Sequence, residues 1–193
     1  MRIVDLTRVS SDYSLVSRDH SVLDTRIDAP ALVAPDGKTI DQLPPECLLR
    51  DAVLLDLTEK EAGKSIDDED LEAAEERAGL AVRENEIVLL HIGRGRFARN
   101  NEFLSDHPYL SENGAEYLEL RHVSGVGIDA PNLENPMSNE LPVHKALLGS
   151  GIFILENLNN LDVLEKERFR LVALPPRVKA ASTLARVLAV LGE

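Results

Sequence analysis

Apolar and polar positions alternate along this chain in short blocks, some with a period of two and others with a helical period. Residues 1–7 (MRIVDLT) alternate cleanly and predict a strand. Residues 21–28 (SVLDTRID) alternate less cleanly and stop at Pro30. The stretch 31–46 holds Pro35, Asp36-Gly37, Pro44 and Pro45, a turn-rich signature. A short buried strand is expected over 52–57 (AVLLDL). Residues 66–78 read as a helix, with Ser65 as its cap and Asp68 three residues on. Acids crowd its first turn, where the helix dipole favours them, and Gly79 follows as a stop. Residues 86–92 (EIVLLHI) are the clearest buried strand and end at Gly93-Arg94-Gly95. A helix over 112–119, a strand over 122–128 and a helix from Pro142 through 148 come next. Apolar runs at 151–155, 169–174 and 183–191 close the pattern. Strands interspersed with helices, with no repeat and no linker, predict one mixed α/β domain over residues 1–193.

Composition narrows this picture. Hydrophobic residues make up 44% of the 193, aromatics only 4%, and tryptophan is absent, so the core must be aliphatic. The net charge of −13 repels phosphate backbones and anionic membranes, which argues against nucleic acid and membrane partners. Cys47 is the sole cysteine, so neither an intramolecular disulfide nor a cysteine-based metal site can form. No run approaches the roughly 18 apolar residues of a membrane span. The N-terminus reads as a strand rather than a signal peptide, and a cytoplasmic location is the expectation. Ser150, Ser182 and Cys47 lack the local signature of an activated nucleophile.

Six ordered segments carry more specific information. They are Val4-Asp5-Leu6-Thr7, Thr25-Arg26-Ile27-Asp28-Ala29-Pro30, Val88-Leu89-Leu90-His91-Ile92-Gly93, Val126-Gly127-Ile128-Asp129-Ala130-Pro131, His144-Lys145-Ala146-Leu147-Leu148-Gly149 with Ile154-Leu155-Glu156-Asn157-Leu158, and Phe169-Arg170-Leu171-Val172-Ala173-Leu174-Pro175. Together they resemble the putative cyclase family, the metal-dependent hydrolases that include bacterial kynurenine formamidase. The resemblance spans nearly the whole chain. It implies a swivelling β/β/α fold with a mixed sheet and flanking helices, a small-molecule substrate, and a homodimer or homotetramer with sites near subunit interfaces.

The resemblance also implies a metal motif, H-x-G-T-H-x-D-x-P-x-H, whose ligands share one face of a strand because the strand period is two. The family uses Zn or Mn to activate water and polarise a carbonyl. In this chain Asp28 matches the aspartate of the motif. Val22, Arg26 and Leu32 stand where the family has histidines, and Asp24 stands at the glycine. The downstream His144 and Glu156 match. Val22 and Leu32 cannot ligate a metal, and Arg26 is a permanent cation. We therefore expect Asp24, Arg26 and Asp28 on one strand face, with Glu156 near, and Arg26 forking the carboxylates in place of a lost metal. An alternative keeps an oxygen-rich Mn or Mg site built from His20, Asp24, Asp28, His144 and Glu156.

His91, Arg94, Arg96 and Arg99 form a basic stretch in an acidic protein. One reading is a solvated loop; the other is a clamp for a substrate carboxylate, with His91, Arg94 and Arg96 in contact. Asn132, Asn135 and Asn139, with Pro131 and Pro136, read as a loop over the site. Three functions compete. The first is a divergent hydrolase or cyclase of the arylformamidase type, acting on a small amide, lactone or related carbonyl compound. The second is a non-catalytic small-molecule-binding module. The third is a metal-independent lyase or isomerase in which Asp28, His144 and Glu156 transfer protons, with Arg26 beside them.

Overall fold

The computed structural model of the chain describes residues 1–8, 24–94, 106–138, 140–164 and 167–192. Eleven strands and three α-helices follow one another among them. The strands are β1 (Arg2–Asp5), β2 (Arg26–Asp28), β3 (Leu49–Asp56), β4 (Ser65–Ile66), β5 (Ile87–His91), β6 (Tyr109–Leu110), β7 (Gly125–Ile128), β8 (Phe153–Glu156), β9 (Arg168–Leu174), β10 (Ser182–Leu184) and β11 (Arg186–Leu191). The helices are α1 (Asp68–Ala78), α2 (Glu112–Leu120) and α3 (Pro142–Gly149).

Nine strands form one mixed sheet in the order β1-β11-β9-β3-β5-β7-β8-β2-β10. The central four, β3-β5-β7-β8, run parallel. Their near-continuous apolar sequences (AVLL, IVLL, FIL) are what a strand covered on both faces requires. Antiparallel strands flank this block on both sides. The pair β4 and β6 forms a separate small ribbon.

Strand alternation sorts the core into two layers. Val53 and Leu55, Val88 and Leu90, Val126 and Ile128, and Ile154 point to the face covered by helices, where they meet Leu71, Leu118 and Leu147. Ala52, Leu54, Ile87, Leu89, Phe153 and Leu155 point to the other face. There they join Val4 and Val187 from one end of the sheet and Ile27 from the other. Residues from opposite ends share one cluster because the sheet curls. Two backbone bonds close the seam: Leu6 N–H donates to Val187 O, and Asn159 N–H donates to Leu6 O. Gly125 is required by this packing, since a Cβ there would lie 2.4 Å from the ring of Phe153, its register partner.

Helix α1 starts two residues later than expected. Asp67 is its N-cap rather than Ser65, and Asp70 closes the capping box by accepting from Asp67 N–H at 2.9 Å. Ser65 instead lies in β4 and donates its hydroxyl to Asp67. Gly79 ends the helix at φ 64°, a left-handed conformation that suits glycine. The apolar segment 183–191 is a pair of sheet strands, β10 and β11, interrupted at Ala185, whose N–H donates to Thr25 O. No helix among the described residues is long and apolar enough to cross a membrane.

Candidate functional site

The centre forms where three elements meet on the helix-covered face of the sheet. Arg26 and Asp28 project from β2 with the same parity. Antiparallel pairing sets Arg26 directly opposite Glu156 at the carboxyl end of β8, and Asp28 opposite Ile154. Helix α3 packs on the same face and brings His144 in from above. Ligand-type atoms of Asp28, His144 and Glu156 lie within 4.8 Å of one another, and all three residues are buried.

Every charge in this centre is met. The Arg26 guanidinium grips Glu156 Oε2 with Nε at 2.9 Å and Nη2 at 2.8 Å. Burial works against the guanidinium charge, but Glu156 and Asp28 outweigh it and hold its proton more firmly than usual. His144 Nε2 faces Glu156 Oε1 at 3.4 Å and Asp28 Oδ2 at 3.7 Å. Glu156 Oε1 also accepts from Leu133 N–H at 3.3 Å.

Behind His144 stands Glu134. One oxygen of Glu134, Oε1, accepts from both the backbone N–H of His144 at 2.8 Å and its Nδ1 at 2.9 Å. That bond fixes the imidazole and turns Nε2 toward the two other carboxylates. Burial disfavours the imidazolium. Bonds to Asp28, Glu134 and Glu156 more than offset it, and the His144 pKa is pushed up to about 11. His107 is a second buried histidine near the centre. Burial pulls its pKa down, although Nδ1–H donates to Pro108 O and Glu156 lies within electrostatic reach.

The other expected residues fall in several places. Asp24 is buried and precedes the ladder that starts at Arg26. It lies within electrostatic reach of Arg8. Leu32 ends a 3-10 turn, Pro30–Leu32, and is 39% exposed. Arg94 lies within electrostatic reach of His107, at the edge of the centre. His91 does not join it. Its parity on β5 matches Ile87 and Leu89, which sends its side chain to the opposite face of the sheet. His20, Val22, Arg96, Arg99 and Asn139 lie outside the described residues.

Glu134 and His107 were not visible as site residues. Glu134 sits in the Asn132–Asn135 loop, where it reads as one acid among 34. The turn formed when Glu134 N–H donates to Asn132 Oδ1 points it inward, and no periodicity encodes that. His107 shows only as an isolated histidine before Pro108.

A mixed α/β fold with a curled sheet, carrying an Asp–His–Glu centre between a strand pair and a helix, defines the class. The family model described as "Putative cyclase" matches residues 5–135, and the chain belongs to that family. A kynurenine formamidase of Bacillus mycoides is 29% identical over 153 residues, 78% of this chain and 66% of its own length. The kynurenine formamidase of Geobacillus thermodenitrificans is 35% identical over 101 residues, 52% of this chain and 48% of that protein. The chain thus spans just under two thirds of the first of these relatives. A solved structure described as a potential metal-dependent hydrolase with cyclase activity superposes with a TM-score of 0.78 at 28% identity, covering 97% of this chain and 96% of that one. Isatin hydrolase A of Labrenzia aggregata shares the fold, with a TM-score of 0.79 at 22% identity, over 97% of this chain and 93% of its own.

Proposed function

We propose that this chain is a divergent cyclase-family hydrolase for a small amide or lactone, in which the Arg26 guanidinium and the His144 imidazolium supply the positive charge that relatives take from a metal. The observation that carries this reading is the Arg26–Glu156 pair. A resident dication fits the donor set poorly. Only three ligand atoms converge among the described residues, and a permanent cation holds Glu156 Oε2. Two like charges a few ångströms apart repel strongly in a buried site.

The residues divide the work by protonation state. His144, charged at neutral pH and held by Glu134, is placed to give a proton from Nε2 to a leaving group. Asp28, beside it, is placed to take a proton from an attacking water. Nε and Nη2 of Arg26 are spent on Glu156, while Nη1 makes no hydrogen bond among the described residues and is the donor available to a developing oxyanion. Arg94, at the edge of the centre, suits an acidic substituent on the substrate.

The test uses N-formylkynurenine and isatin, drawn from the activities of the named relatives, with and without chelator. The reading predicts turnover of such a carbonyl compound that is indifferent to chelator and falls by about 10²–10⁴ in Asp28→Asn and His144→Ala. One observation favours a second reading: the convergence of Asp28, His144 and Glu156 is close enough for a metal to be retained. Loss of turnover on chelation would decide for that reading. Tight binding of either compound without turnover would decide for a non-catalytic module. A homodimer or homotetramer is proposed on family grounds alone, and sedimentation tests it.

A further inference from the structure

The helices cover only part of their face of the sheet. On β3, Val53 and Leu55 are buried in the layer that the helices close. Leu49 and Asp51 share that parity but are exposed. The uncovered area continues across β9, β11 and β1, the strands that end the sheet on that side. An antiparallel sheet face open to water is ordinarily polar. Here it is not. Ile3, Leu49 and Leu174 are 54%, 48% and 55% exposed, and Val172, Leu188 and Val190 are half-buried beside them. The register gathers them into one cluster: Val172 stands opposite both Leu49 and Leu188, and Val190 opposite Ile3. An apolar cluster spread over four strands marks an interaction surface.

The charges on this face point to its occupant. Two ion pairs border the cluster, Arg186–Asp5 at 2.6 Å and Arg170–Asp51 at 2.9 Å. The first spans β11 and β1, the second β9 and β3, so they stand at diagonal corners. The whole chain carries −13, and two copies therefore repel over most of their surface. At this cluster each carboxylate is matched by a guanidinium, and the repulsion is locally cancelled. The pattern is also self-complementary. A two-fold axis passing beside Val172 lays one corner on the other, so that Arg170 and Asp51 of one copy meet Asp5 and Arg186, respectively, of the second. Such charges set register, while the apolar residues supply the affinity.

We infer that this face is the contact between two copies of the chain, packed sheet to sheet about that axis. It lies on other strands than the hydrolytic centre and owes nothing to the hydrolytic reading. It rests on the homodimer proposed above and gives that dimer a face. Assembly through another surface would sink this contact and leave the homodimer standing.

Sedimentation velocity of the full chain gives the mass, and cross-linking gives the face. At about 20 µM the chain is expected to sediment as a dimer. Leu49→Glu combined with Leu174→Glu, both at exposed positions, should weaken association at least about a hundredfold with the circular dichroism spectrum unchanged. Leu120→Glu, 71% exposed at the end of α2, is the control and should leave the mass alone. Cys47 is the sole cysteine, so a Cys47→Ser background permits a single placed thiol. In it, Val172→Cys should be trapped as a covalent dimer by a short bismaleimide, and Leu120→Cys should not. Three results overturn the proposal. They are a monomer at about 20 µM, a dimer that withstands the double substitution, and a Val172→Cys protein that is trapped no better than Leu120→Cys.

Discussion

The two faces of the sheet at its carboxyl end carry the same kinds of residue and treat them differently. On the helix-covered side, Arg26, Asp28, Glu134, His144 and Glu156 are knitted together, each charge answered by another within a few ångströms. On the opposite side, Asp56 and His91 are register neighbours that border a cavity, and Asp56 itself is exposed. A one-residue change of strand parity separates these fates, because odd and even positions point to opposite faces. The contrast teaches that residue type alone does not make a centre. Burial and the pairing of each charge do, and removing one member at a time probes that pairing.

The largest effect should come from Glu156→Ala. It strips the shared counter-charge from Arg26 and His144 and should cost about 3 kcal/mol in denaturant melts. A variant as stable as the parent would mean that the pair is dispensable to the fold. Arg26→Lys is next. It keeps the charge but loses the two-pronged grip on Glu156, and kcat should drop by roughly tenfold with stability less affected. An unchanged kcat would remove Arg26 from the reaction.

Glu134→Gln should cost about 1–2 kcal/mol, because the His144 backbone and ring both lean on one oxygen. Its sharper readout is pH. His144 has a folded pKa raised from 6.5 to about 11, so its contribution to stability is complete below about pH 6.5 and is lost as pH climbs toward 11. Glu134→Gln should lower the folded value and bring that loss to lower pH, as followed by imidazole NMR. An unshifted titration would separate Glu134 from His144. The smallest effect belongs to Arg170→Ala. The Arg170–Asp51 pair is about half exposed on both sides, and its loss should change stability by less than about 1 kcal/mol.

Strand and helix positions were largely legible because burial imposes a period. The runs at 86–92 and 169–174 became β5 and β9 with shifts of a residue or so at their ends. The site was legible only in its repeating part. Arg26, Asp28 and Glu156 follow from strand parity and pairing, and His144 from its place on an amphipathic helix. Glu134 was not, because a loop turn aims it. His91 was placed with the centre on charge alone, whereas its parity assigns it to the other face. Asp24 lies before Arg26, where pairing begins, so strand parity alone does not place it.

The central claim is that a guanidinium occupies the role of a metal beside Asp28, His144 and Glu156. Elemental analysis of protein purified without a His tag, after exposure to Zn and Mn and removal of excess, tests it most directly. The account predicts metal far below one atom per chain and an unchanged melting temperature. One Zn or Mn per chain, released by Asp28→Asn, would contradict it.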